Sequence, residues 1–231
     1  MKIWAISDLH FSYSGRYDMK KFGEIWNNSK EKLISNWRKK ISREDIVLLP
    51  GDLSWEYEMQ TAYHDLKQIA ILPGKKKIIT RGNHDIWWDN ITTVKNSVPA
   101  SIIPLAEDII EIDDWVITGS MGWISPNDPV FDVLDRNSFE KEYEIARKNL
   151  AKAKLTNKRI IYLIHFPPFT TDGKETQFSQ LMMDNSVSVC LCGHFHMPKE
   201  WASFQSGVLN GVNFQLVSTD YLGHDPIEIN T

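Results

Sequence analysis

Short apolar runs that stop abruptly at polar residues recur along this chain, separated mostly by stretches whose apolar residues follow a 3.6-residue period. The run Ile46-Val47-Leu48-Leu49 has no polar alternation, which suits a strand covered on both faces, as in a parallel sheet. It stops at Pro50-Gly51-Asp52. Lys2 to Ser7 stops at Asp8-Leu9-His10, Arg159 to Ile164 at His165-Phe166-Pro167-Pro168, and Val187 to Cys192 at Gly193-His194-Phe195-His196. Ile78 to Asp85 is the densest of these stretches, because Asn83, His84 and Asp85 follow Gly82 without a gap. Lacking a Cβ, Gly82 lets the backbone turn sharply and approach a ligand closely. Asn83 and His84 then reach the space beyond a strand's end, where open α/β sheets hold their sites.

Between the runs, Phe22, Ile25, Trp26, Leu33, Ile34 and Trp37 recur at helical spacing and predict one amphipathic helix with its aromatic rings turned inward. Met59, Ala62, Tyr63, Leu66 and Ile69 predict a second helix, on which His64 is assigned no chemistry. Further helices are expected near Phe139 to Ala153 and Gln177 to Met183. Asp108 to Ile112 and Trp115 to Thr118, joined by Asp113-Asp114, read as a hairpin, and Phe214 to Val217 as the last strand. With 231 residues and no Pro/Ser-rich or charged linker, the chain reads as a single α/β domain over residues 1–231.

A formal net charge of −4 argues against a broad nucleic-acid footprint. The basic runs Arg38 to Lys40 and Lys75 to Lys77 precede predicted strands and read as solvated surface at the edge opposite the strand C-termini. No run approaches a membrane span, and Met1 to Ile6 carries no secretory pattern. Cys190 and Cys192 are two apart in a predicted strand, share a face, and would make a strained disulfide; buried thiols in a reducing cytoplasm are the expectation.

Five strand ends carrying Asp, Asn and His point to one shared site. Imidazole, carboxylate and amide ligands without thiolate suit divalent Mn, Fe, Co, Ni or Zn. They are too many for one tetrahedral ion and suit two ions sharing a carboxylate. Two ions about 3.5–4 Å apart clamp the attacking and leaving oxygens of a phosphoryl displacement. Metal-assisted phosphoester hydrolysis is the reaction these residues suggest.

The series Asp8-Leu9-His10, Gly51-Asp52, Gly82-Asn83-His84-Asp85, His165 and Gly193-His194-Phe195-His196 resembles the calcineurin-like metallophosphoesterase superfamily in order and approximate spacing. The resemblance implies a four-layer α/β/β/α sandwich of two mixed sheets flanked by helices. It implies that Asp8, His10 and His196 hold one divalent metal ion, that Asn83, His165 and His194 hold a second, and that Asp52 bridges them. His84 is implied to donate a proton to the leaving group or to stabilise charge on the phosphoryl oxygens, with Asp85 supporting the loop.

One departure concerns His84. Many members carry an acidic residue three positions after the bridging Asp, where this chain has Trp55, with Glu56 next to it as a substitute. The chain also lacks the Gly-Asp-x-Val-Asp-Arg-Gly and Gly-Asn-His-Glu forms of the protein Ser/Thr phosphatases. It is more similar to small bacterial-type phosphodiesterases and phosphohydrolases, which implies a phosphodiester or small phosphorylated metabolite as substrate. A phosphomonoesterase and a non-catalytic binding scaffold are the alternatives, and a nuclease ranks lowest. Trp55 and Arg16 are the candidate substrate contacts; Trp87, Trp88 and Trp123 read as core beneath loops or a dimer patch in preference to an aromatic wall for a nucleobase or other flat substrate, and Arg136 and His224 are given no role.

Overall fold

The computed structural model describes residues 1–229. In chain order the elements are β1 (Ile3–Ala5), α1 (Ser29–Lys40), β2 (Ile46–Pro50), α2 (Met59–Ala70), β3 (Lys76–Thr80), α3 (Ile91–Ser97) and β4 (Ile102–Pro104). There follow β5 (Ile110–Ile112), β6 (Trp115–Ser120), α4 (Arg136–Lys154), β7 (Arg159–Ile164), α5 (Gln177–Asp184) and β8 (Val189–Cys192). The chain closes with α6 (Pro198–Ser203), β9 (Gly207–Leu209), β10 (Val212–Leu216) and β11 (Ile227–Glu228). These elements form two compact units, one comprising Met1–Pro104 and the chain from Val217 onward, the other Leu105–Leu216.

The first unit holds a sheet of order β11-β1-β2-β3-β4, in which β1 to β4 run parallel and β11 pairs antiparallel with β1. Val47, Leu49 and Ile79 on one face pack against Leu33 and Trp37 of α1, Ala62, Leu66 and Ile69 of α2, and Val94 of α3. Ile46, Leu48 and Ile78 on the other face are buried as well, as the continuous apolar runs require. The second unit holds a sheet of order β5-β6-β7-β8-β10-β9, with β6, β7, β8 and β10 parallel and an antiparallel strand at each edge. Tyr162, Cys190, Cys192 and Phe214 on one face pack against Phe139, Ala146 and Leu150 of α4 and Phe178 and Met182 of α5. The fold is therefore α/β, with two mixed sheets flanked by helices. No helix among the described residues is long and apolar enough to cross a membrane.

Cys190 and Cys192 are free and buried on that shared face, and burial pushes the Cys190 thiol far up. The expected hairpin is β5 and β6. The expected helix across Phe22 to Trp37 begins only at Ser29, because Gly23 at φ 127° and Asn28 at φ 55° break the chain ahead of it. Phe22 and Ile25 sit in the preceding 3-10 turns and are exposed, whereas Trp26 and Trp37 are core as expected. The strand at Phe214 is not the last, since β11 follows.

Lys77 departs from the solvated-surface reading, being 1% exposed. Its Nζ donates to the carbonyls of Ala70, Leu72 and Gly74 at 3.0, 2.7 and 2.8 Å. These carbonyls lie at and just beyond the C-terminus of α2, where backbone acceptors lack intrahelical partners. Burial pushes the ammonium down to about 8.

Candidate metal centre

In the first unit the parallel strands β1, β2 and β3 deliver Asp8, Asp52 and Asn83-His84 past the same sheet edge. The segments after β1 and β2 remain hydrogen-bonded to each other: Asp8 N to Gly51 O at 3.1 Å, His10 N to Asp52 O at 3.0 Å, Phe11 N to Leu53 O at 3.0 Å and Trp55 N to Phe11 O at 2.8 Å. Within this zipper Asp8, His10 and Asp52 all adopt left-handed backbone, with φ of 57°, 48° and 55°. Such a conformation costs a non-glycine residue about 1–3 kcal/mol and concentrates at functional sites.

All three side chains are buried. His10 Nε2 lies 3.9 Å from Asp8 Oδ1 and 3.7 Å from Asp52 Oδ2, beyond hydrogen-bond range. Two carboxylates and an imidazole so spaced fit a divalent cation in their donor chemistry. The Ser7 hydroxyl donates to Asp8 Oδ2, orienting that carboxylate.

Gly82 packs against Asp52 so closely that a Cβ there would overlap the Asp52 carboxylate oxygen and backbone nitrogen. His84 N then donates to Asp52 Oδ1 at 2.8 Å. Asp85 ties the loops together, since its oxygens accept from the backbone nitrogens of Asp52, Leu53, Ser54 and Gly82 and from Trp87 Nε1 at 2.8–3.2 Å. Burial, and next the Asp52 carboxylate beside it, push Asp85 up to about 7 while the N–H donors pull it back.

Trp55 occupies the position where an acidic residue was expected, and its ring contacts both imidazoles, at 4.0 Å from His84 and 4.9 Å from His10 between centroids. Glu56 next to it is engaged by the preceding loop, its Oε1 accepting from Ser12 Oγ, Ser14 N and Ser14 Oγ at 3.2, 2.9 and 2.8 Å. Tyr17 also stacks on Trp55, with centroids 5.1 Å apart, and Arg16 is exposed with its guanidinium 5.6 Å from the Tyr57 ring.

Sequence reasoning missed two supports. Asp65 of α2 is fully buried and accepts from Tyr13 N and Ser54 Oγ at 3.0 and 2.8 Å, tying both loops to the helix. Its place among Ala62, Leu66 and Ile69 on the apolar stripe was the available signal. His224 is 2% exposed; its Nε2 pairs with Ile25 O at 2.7 Å, and its ring meets Trp26, which in turn meets His10.

In the second unit His165 follows β7 and His194 and His196 follow β8. Gly193 N donates to His165 O at 3.1 Å, and the His165 and His194 rings meet edge-on with centroids 5.1 Å apart. His194 is again left-handed, at φ 72°. Glu200 of α6 steadies the His196 segment, its Oε2 accepting from His196 N and Met197 N, both at 2.9 Å. No sequence pattern marked Glu200.

The sequence model of the family described as calcineurin-like phosphoesterase matches residues 1–198. Among solved structures, the chain is similar to a protein of unknown function, AQ665, from Aquifex aeolicus, at 16% identity over 98% of this chain and 95% of that one, with a TM-score of 0.53. It is also similar to GAP50, the anchor in the inner membrane complex of Plasmodium, at 13% identity over 95% of this chain and 72% of that one, with a TM-score of 0.52. At these identities the likeness concerns the fold. No curated protein matches the chain.

Proposed function

Because the chain belongs to the calcineurin-like phosphoesterase family of metal-dependent phosphohydrolases, we propose that it hydrolyses a phosphodiester or a small phosphorylated metabolite with two divalent cations bound. The observation that carries this reading is the trio Asp8, His10 and Asp52, buried and held in left-handed backbone, with His10 Nε2 3.9 Å from the Asp8 carboxylate and 3.7 Å from that of Asp52. Asp8, His10 and His196 are assigned to one cation, Asn83, His165 and His194 to the other, and Asp52 to both. Bound there, the cations supply positive charge against the phosphoryl oxygens and lower the pKa of water toward neutrality. Manganese is the first metal to test, ahead of Fe, Zn, Ni and Co.

The protein's own groups do the rest. The His84 main chain is anchored on Asp52 and its imidazole lies against Trp55. In this reading His84 donates a proton to the leaving oxygen or stabilises charge on the phosphoryl group, and Trp55 holds the ring plane by contact where relatives use a carboxylate. Arg16, on the exposed loop beyond Tyr17, is assigned to an outer part of the substrate. The matched residues 1–198 run through both compact units, which supports treating them as one catalytic domain. A cytoplasmic location accompanies this reading, supported by the free thiols of Cys190 and Cys192.

The test is hydrolysis of an aryl phosphodiester and the matching monoester, side by side, with Mn(II) and with a chelator. Chelator-sensitive turnover favouring the diester is expected. Monoester preference would redirect the substrate assignment, and turnover of neither ester by metal-loaded protein would favour a binding scaffold.

A further inference from the structure

The second unit contains a cavity of about 250 Å³ that opens beside His194. Its apolar lining includes the aromatic rings of Trp123 and Phe166, with centroids 4.9 Å apart, and Phe169, beside Ile124, Val130 and Pro167. Phe166 also lies against the His194 imidazole at 4.2 Å, so the aromatic wall is continuous with a residue assigned to the metals. Trp123 is held in place by its Nε1, which donates to Asp135 Oδ1 at 2.9 Å. Gly122 turns the chain into this wall at φ 70°, and a Cβ there would strike the Ile164 side chain.

The polar lining includes Ser125, Thr171 and His194, and its carboxylates bring charge of one sign. Asp128 and Glu200 contribute carboxylates, and no Lys or Arg is among the lining residues. Asp128 is fixed by Thr171, whose N and Oγ1 donate to it at 2.7 and 2.8 Å, and by Val130 N at 3.0 Å. Glu200 is fixed by His196 N and Met197 N. Rigid acceptors between aromatic walls disfavour a phosphate and favour a flat ring whose edge carries N–H donors. Nucleobases combine such an edge with a face that stacks on aromatic side chains.

We infer that this cavity binds the purine base of a nucleotide substrate, with the ring against Trp123 and Phe166 and its N–H edge toward Asp128 and Glu200. The inference rests on the proposed phosphohydrolase reading, in that it names the substrate class of the same site. Guanine, with adjacent ring N–H and amino donors, is the best match to a carboxylate edge.

The test is binding of guanosine, which contains no phosphoester, to the full chain loaded with Mn(II), followed by calorimetry. Guanosine is expected to bind, and Trp123→Leu to weaken it by about tenfold or more, as loss of base stacking does. Trp123→Phe should recover most of the affinity, which separates stacking from a folding defect. Absence of guanosine binding, equal binding by Trp123→Leu, or phenol binding as tightly as guanosine would each overturn the inference. Trp123-dependent guanosine binding by a protein that hydrolyses no phosphoester would instead retain the pocket and discard the hydrolase reading.

Discussion

Gly82 shows how one missing side chain organises the first unit's site. The Asp52 carboxylate fills the volume a Cβ would take, and it receives the His84 N–H from there. Gly82→Ala forces Asp52 to move, and displacing the support of a metal ligand costs about 10- to 100-fold in metal affinity. Calorimetric titration of Mn(II) into chelator-stripped Gly82→Ala should show that loss, and undiminished affinity would contradict the role given to Asp52. Trp55 is the second residue with a sharp consequence. If the Trp55 ring helps to aim His84, Trp55→Ala should lower kcat by about 10- to 100-fold, the scale of a small misplacement in an active site. Trp55→Phe should restore most of it. The pH profile of kcat should change shape in Trp55→Ala; a change in KM alone would make Trp55 a substrate contact instead.

Among the elements, Lys77 joins β3 to the end of α2 by a single buried ammonium. Lys77→Met leaves the carbonyls of Ala70, Leu72 and Gly74 without that donor, at a cost of about 1–3 kcal/mol. The group also has a pH signature. Its folded pKa of about 8 lies below the ordinary 10.5, so between these values the unfolded chain holds a proton that the folded chain has released. Stability from this group therefore rises with pH across that window. Urea midpoints on both sides of it should show a rise in the wild type that Lys77→Met lacks, and parallel profiles would remove Lys77 from the account.

The elements also mark where the sequence was readable. β2 and β7 announce themselves as unbroken apolar runs because both their faces are buried, whereas β3 offers only the pair Ile78-Ile79, and the Asp, Asn and His residues at strand ends stand out because the apolar residues stop so sharply. α3, α6, β9 and β11 are too short to develop a period. The helix expected from Phe22 failed because apolar spacing continues across Gly23 while the backbone does not. Nothing in composition foretells left-handed backbone at Asp8, His10, Asp52 and His194. A lysine buried against helix-end carbonyls runs against the usual exposure of its residue type.

At the scale of the whole molecule, each compact unit has its own sheet, its own core and its own set of the side chains assigned above to the metals. The family match runs through both. The central claim is that both sets serve one reaction with two cations. It is tested most directly by titrating Mn(II) into chelator-stripped protein while recording phosphodiester hydrolysis at each addition. The account predicts no turnover without metal and a rate that reaches its plateau only near two equivalents. Full turnover in the stripped protein, or a plateau at one equivalent, would contradict it.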